Sequence, residues 1–430
     1  MSRLQVTTLF ACLSLGGCSS SSTDTAPAVL VIDPGLEATL DEAPSTSRLL
    51  ARARMGDGSE TPVFDGAMPK DRRIPLGEVS TGTAVAFLLE GRDEAGNVVL
   101  RGGTPFIYPA GDIPVLVGRP GASTRVRQPL VAPATAGTLV GARYIFAAAD
   151  TKGTLFDLAR LDSLSDARGL PRPVRTLLSW ESIAVLVDQT GASSVDTTTG
   201  AAGINSLGGA APADVVDGSV VVGADGTYLV GAGRLAGAKT TAVVRFAATA
   251  QIITLTQPRI AAATGWLDGT GLIVTGGETA GPPDVIAAGA TTPKLAAVSL
   301  PARRGGVLAP LSDGAFVLVG GVDPETGKPA ESLRVALACA ASCVAPFADA
   351  LDLVSGKAHA AGAGRSFVVG LDASGSTRAY LVDGASITKV DLRTERRRGD
   401  SVAVGDGFVM VLGGTDATGA PLLGLEQLTP

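Results

Sequence analysis

The chain has 430 residues, with 56 glycines, 26 prolines and only 4% aromatic residues, a composition that suits short strands and tight turns better than long helices. Its length exceeds one ordinary domain and leaves ample material for a large core. A formal net charge of −6 and a pI near 5.0 offer no basic face to neutralise phosphates, which removes nucleic acid from the leading partners.

The chain opens as an export signal. Arg3 supplies the positive charge, Leu4 to Leu15 is mostly apolar, and Gly16-Gly17 places small residues before a cysteine. The apolar run is shorter than the roughly 20 residues a spanning helix needs. Leu15-Gly16-Gly17-Cys18 resembles the lipobox of bacterial lipoproteins. That resemblance implies cleavage after residue 17, acylation of Cys18 and, with Ser19 following, sorting to the outer membrane; the alternative is a non-lipidated signal with a chance cysteine. Residues 18–27, rich in Ser and Thr, read as a flexible tether.

Residues 28–122 show short apolar runs between turn signals, among them Val29 to Ile32 before Asp33-Pro34-Gly35, and Thr83 to Glu90 before a hairpin return at Asn97 to Arg101. A small immunoglobulin-like β-sandwich is expected here, acting as a spacer or docking module, although the Cys…Trp…Cys signature is missing. The alternative is that its first strands complete the fold that follows.

From residue 123 to 430 one unit recurs. Its best copies are Arg259 to Gly281, Arg304 to Gly327 and Arg398 to Gly419. Each runs from arginine through Asp-Gly to an apolar strand ending in Gly276-Gly277, Gly320-Gly321 or Gly413-Gly414, then to an acidic residue and a glycine. Asp-Gly supplies the positive φ of a hairpin turn, and the unbroken apolar run suits a strand buried on both faces. Weaker copies put the first turn at positions 141, 181, 225 and 363, beside 268, 313 and 406, with intervals of 40, 44, 43, 45, 50 and 43 residues, averaging about 44. That is the length of a four-stranded propeller blade. The unit resembles the kelch repeat, which implies an all-β, seven-bladed propeller, with six blades as the alternative. Closure is expected between Leu422 to Leu428 and Arg125 to Val131, removing an open edge.

Cys339 and Cys343 fall in the longest interval, and in an exported body they are expected to form a disulfide stapling an enlarged loop. Enzymes on kelch-like propellers, galactose oxidase among them, draw copper ligands from several histidines and tyrosines; this chain has one histidine, His359, so neither metal nor other cofactor is expected. The glycines form no phosphate-binding signature. Arg259, Arg303, Arg304 and Arg396-Arg397-Arg398 each precede an expected inner strand, at one rim of a central channel. Two readings stand: an anion-binding rim at Arg259, Arg303, Arg304, Arg397 and Arg398, or arginines at strand entries that are solvated or paired with acids such as Glu395. The expected function is non-catalytic: a lipid-anchored envelope protein that holds a protein or polysaccharide. The alternative is an extracytoplasmic carbohydrate-active enzyme with paired carboxylates at the propeller mouth.

Overall fold

The computed structural model describes residues 24–38, 40, 42–164, 167–339 and 343–430. The signal segment, Cys18 and most of the tether lie outside the described residues. The tether's last residues do not remain loose: strand β1 already begins at Thr25 (Thr25–Asp33).

Six more strands follow: β2 (Arg48–Arg54), β3 (Glu60–Gly66), β4 (Arg73–Ser80), β5 (Ala86–Arg92), β6 (Val98–Gly103) and β7 (Gly111–Gly118). They hydrogen-bond along one path, β3-β2-β5-β6-β7-β1-β4, because β7 pairs with both β6 and β1 and joins them into a single sheet. Period-2 alternation gives this sheet one buried face. Leu30, Leu49, Ile74, Phe87, Leu100 and Val115, from six different strands, meet in one cluster.

The rest of the chain is a ring of seven four-stranded sheets. Their inner strands are Ala136–Val140, Thr176–Trp180, Ser219–Gly223, Ala262–Leu267, Val307–Pro310, Ser355–Gly362 and Asp400–Gly405. Each packs beside the next blade, and the last against the first. All seven expected turns fall between the inner and second strands of successive blades. The architecture is a seven-bladed β-propeller. Its outermost strand in blade 7 is β8 (Ser123–Arg125), which pairs antiparallel with Glu426–Leu428 in the register Glu426↔Arg125, Gln427↔Thr124, Leu428↔Ser123. The chain thus closes the ring with its own earlier segment, and Glu426–Leu428 is paired on both sides.

The turns impose positive φ on non-glycine residues as well. Glu181, Ala363 and Asp406 adopt φ of 51°, 50° and 50°. The glycine doublets are left-handed throughout: 71° and 93° at Gly276-Gly277, 65° and 82° at Gly320-Gly321, and 64° and 79° at Gly413-Gly414. They are also pressed against the next blade's entry segment. A Cβ on Gly413 would lie 2.2 Å from the Ala134 carbonyl oxygen, and one on Gly320 would lie 2.5 Å from that of Leu353. The second glycine of each pair donates across the same seam: Gly277 to Arg303, Gly321 to Leu353 and Gly414 to Ala134. Weaker copies solve the seam differently. Gly231-Ala232 winds into a 3₁₀ turn, and at Val187-Asp188 the Asp188 carboxylate accepts from the Thr190 and Gly191 amides. Cys339 and Cys343 are disulfide-bonded between the third and fourth strands of blade 5, with Cα atoms 5.6 Å apart.

Gly413→Ala, which adds both a backbone clash and a left-handed alanine at the blade 7–blade 1 seam, is expected to cost about 2 kcal/mol or more. Ala363→Gly relieves a strained turn and is expected to stabilise by up to about 1 kcal/mol. Denaturant or thermal unfolding of the two variants beside wild type checks both signs.

Candidate functional site

Two faces close the ring, and they differ. On the turn face the N-terminal sheet docks at blades 7 and 1. Arg54 donates to both carboxylate oxygens of Asp406, its guanidinium carbon lies 5.5 Å from the Phe106 ring centroid, and Ala159 of blade 1 joins the N-terminal sheet's core. A small cavity at this junction is lined by Thr104, Leu158, Leu161, Phe408 and Gln427. The opposite face carries the glycine doublets, the loops after them and the segments that enter each inner strand.

The channel wall is a polar seam. Thr138 donates to Ser179 (2.7 Å), the Gly137 amide to Asp400 (2.9 Å), Lys357 pairs with Asp400 (2.6 Å), and His359 Nε2 lies 2.8 Å from Ser401 Oγ. These side-chain pairs are 41 to 43 residues apart apart from the Gly137–Asp400 bond, which crosses the closure. One repeat period places them side by side on neighbouring inner strands. The serine–histidine contact has the reach of a nucleophile and its base. Its chemistry is poor: Ser401 is buried, and burial, helped by the Lys357 ammonium, pushes the His359 imidazolium down to about 3, so the ring is neutral and weakly basic. Asp400, the carboxylate next door, spends its oxygens on Lys357 and the Gly137 and Ser401 amides.

The arginines of the expected rim fall into two groups. Arg259, Arg303 and Arg396 are 2%, 3% and 1% exposed, and their side chains run into the blades. Each donates to the carbonyl of the first glycine of its own doublet, always 17 residues on: Arg259 to Gly276 (3.0 Å), Arg303 to Gly320 (2.8 Å) and Arg396 to Gly413 (3.1 Å). A further bond reaches the start of the third strand: Pro282 O from Arg259, Glu331 O from Arg303, and Gly424 O from Arg396. In blades 4 and 7 a fully buried carboxylate completes the brace, Asp284 for Arg259 (3.3 Å) and Glu426 for Arg396 (2.8 Å). Blade 5 has Ser332 at that place, and burial, only partly offset by the nearby Glu331 carboxylate, pushes the Arg303 guanidinium down to about 10, still charged at neutral pH. The anion-rim expectation is therefore corrected for Arg259 and Arg303: both are internal cross-braces, and the partner of Arg396 is Glu426 rather than Glu395. The constant 17-residue spacing to the doublet was a sequence signal for this role.

Arg304, Arg397 and Arg398 are exposed on the doublet face and make no side-chain hydrogen bond or ion pair among the described residues. Arg304 and Arg397 hold equivalent places: each exchanges two backbone hydrogen bonds with the residue after its doublet, Val322 and Thr415. The next position is left-handed in every strong copy, at Ala261 (51°), Gly305 (74°) and Arg398 (53°). Elsewhere, a groove of about 310 Å³ runs along the outer strands of blade 6 and gathers Asp391 and Glu395 with Lys389, Arg378 and Thr394. Its end at Thr394 and Glu395 belongs to the entry segment that carries Arg397 and Arg398.

The fold defines a seven-bladed β-propeller whose turn face meets its own N-terminal sheet at blades 7 and 1. No family model matches the chain, and no curated protein matches it. Among solved structures it is similar to a regucalcin, described as a calcium-binding protein, from Agrobacterium tumefaciens, at 14% identity and a TM-score of 0.36, covering 69% of this chain and 90% of that one. It is also similar to YjhT (11%, 0.39, 69% and 94%) and to the N-terminal domain of Nup159 (8%, 0.44, 69% and 92%). At such values the likenesses carry no functional argument, and the propeller rests on the strand pairing of this chain.

Two outcomes test the wall and the braces. His359 is neutral when folded and protonates near its ordinary 6.5 when unfolded, so its contribution is complete above 6.5 and is lost as pH falls from there towards about 3. His359→Gln is expected to flatten the loss of stability over that window in unfolding measured against pH. Arg259→Met, which strands the buried Asp284, is expected to cost about 3–5 kcal/mol, and Arg303→Met, which strands no carboxylate, clearly less; equal costs by denaturant unfolding would contradict the brace.

Proposed function

We propose that this chain is a bacterial lipoprotein, acylated at Cys18 after removal of residues 1–17. On this reading its kelch-like propeller is a non-catalytic binding or scaffold module at the outer membrane, holding a protein or polysaccharide partner. The observation that carries the reading is the direction of β1. Its end leads through Pro34 to Gly35, where a Cβ would lie 2.1 Å from the Arg125 carbonyl oxygen at the propeller's closing strand. Its start at Thr25 is eight residue steps earlier, about 26 Å away along the strand. A chain anchored at Cys18 therefore enters the N-terminal sheet at the end remote from the propeller. The sheet becomes a stalk, docked on the turn face through Arg54–Asp406, and the doublet face is left free for a partner.

The non-catalytic half of the proposal is supported by how the polar groups are spent. Asp323, Asp372 and Asp416, in the loops of the open face, each accept two or more hydrogen bonds from amides of their own loops. The one histidine is half-buried and hydrogen-bonded to Ser401. The kelch-like part rests on the doublets, turns and braces of blades 4, 5 and 7.

Fractionation of wild type and Cys18→Ser, with and without a globomycin-type block of lipoprotein processing, tests the anchor. Wild type is expected in the membrane fraction at processed mass, with Cys18→Ser released or unprocessed. Identical mass and fractionation for both proteins would remove the lipid anchor and leave a periplasmic or secreted protein.

A further inference from the structure

We propose that Arg304, Arg397 and Arg398 form a binding site for an anionic polysaccharide across the open face of the propeller, a reading that deepens the proposed binding role. Three observations converge on it. The first is electrostatic. Most arginines of the propeller are spent, on carboxylates as at Arg143–Asp157, Arg172–Asp188, Arg175–Asp217, Arg245–Asp225 and Arg378–Asp372, or on carbonyls as at Arg234 and Arg303. These three guanidinium groups stay unpaired in water although acids stand in the neighbouring loops. Several of those acids are engaged by loop amides, Asp416 accepting from Thr418 and Ala420, Asp323 from Glu325 and Thr326, and Asp352 from Ala373, while Glu325 and Glu395 stay exposed without pairing with these arginines.

The second observation is conformational. Arg398 occupies the left-handed position that blade 5 fills with Gly305 and blade 4 with Ala261. A long side chain there costs about 1 kcal/mol of backbone strain that glycine avoids. Among the described residues no hydrogen bond or ion pair uses the Arg398 side chain, so the strain has no structural return there.

The third is the chemistry of the surroundings. The segments that build this face, 129–135, 206–218, 296–306, 349–354 and 391–399 at the entries and 231–239, 277–283, 320–331, 372–376 and 413–425 after the second strands, contain no Phe, Tyr or Trp. A protein interface takes its strongest anchors from buried aromatics. A face without aromatic anchors, on which arginines project among scattered exposed aliphatics such as Val131, Leu235 and Leu423, instead recognises charge and accommodates a hydrated chain. Arg304 on blade 5 and the Arg397–Arg398 pair on blade 7 flank the channel mouth with one blade between them. With sheets packing about 10 Å apart, the two points are on the order of 10–20 Å distant. One sulfate or phosphate ion cannot touch both; a chain with a negative group on successive sugars can.

The test uses the full chain, with dextran sulfate as probe and neutral dextran of the same length as reference. Wild type is expected to bind dextran sulfate, with affinity falling as salt rises, and to ignore neutral dextran. Replacing Arg304, Arg397 and Arg398 together with Ala is expected to weaken binding about tenfold or more. Removing three charges from the N-terminal sheet instead (Arg48→Ala, Arg52→Ala, Arg73→Ala) is expected to leave binding unchanged, which separates a site from bulk charge. Arg398→Gly is the variant that guards against misfolding, since it is expected to raise the melting temperature while lowering affinity. Unchanged binding in the triple Ala variant, equal loss in the N-terminal control, or tighter binding of poly-glutamate than of dextran sulfate would each overturn the proposal, the last in favour of an acidic protein. Failure of the Cys18 experiment would leave this result intact, because it reads the anchor and not the face.

Discussion

Where the second strands of blades 4, 5 and 7 leave the ring, their backbone lies directly against the entry segment of the next blade, and no side chain fits between them. The left-handed glycine pair is the local answer, and much of the propeller is arranged around it. Because the doublet ends the second strand, its first carbonyl is left without a ladder partner, and a buried carbonyl must find a donor. The repeat supplies one from 17 residues upstream, the guanidinium of Arg259, Arg303 or Arg396. That guanidinium also ties the start of the third strand, so one side chain connects entry segment, second strand and third strand of a blade. The cost is a charge in the core, met by Asp284 and Glu426 in two blades and left to carbonyls alone in the third.

The same constraint separates the two faces. The turn face is made of short hairpins, flat enough for the N-terminal sheet to dock through Arg54, Phe106 and Ala159. The doublet face carries longer loops that are fixed at their bases by the braces and by backbone exchanges such as Arg304–Val322 and Arg397–Thr415. Rigid bases with solvent-facing tips are the usual place for recognition. Function, on the reading advanced above, sits on the face that the packing rule leaves uncovered.

Much of the fold was legible because its determinants are local and repeated. Asp-Gly before an apolar run and a glycine pair after it report backbone conformation residue by residue, and their 44-residue recurrence gives the blade count. The closing register between 426–428 and 123–125 was legible in outline, since a ring must satisfy its last edge. The N-terminal stretch was legible only as short strands. Whether seven such strands make two sheets or one depends on a few hydrogen bonds, here those joining Arg101 and Gly102 to Gly118 and Val117.

What the sequence by itself determined is the repeat, its turns and the pairing of Cys339 with Cys343. All of these depend on neighbours within a few residues or on a strict period. What only the tertiary structure decided is the fate of each arginine. Arg303 and Arg304 are adjacent and chemically identical, yet one is a core brace and the other a free cation, because successive side chains on an extended segment point to opposite sides. Which side is core depends on the blade packed behind it, and that surface is contributed by residues far away in the chain.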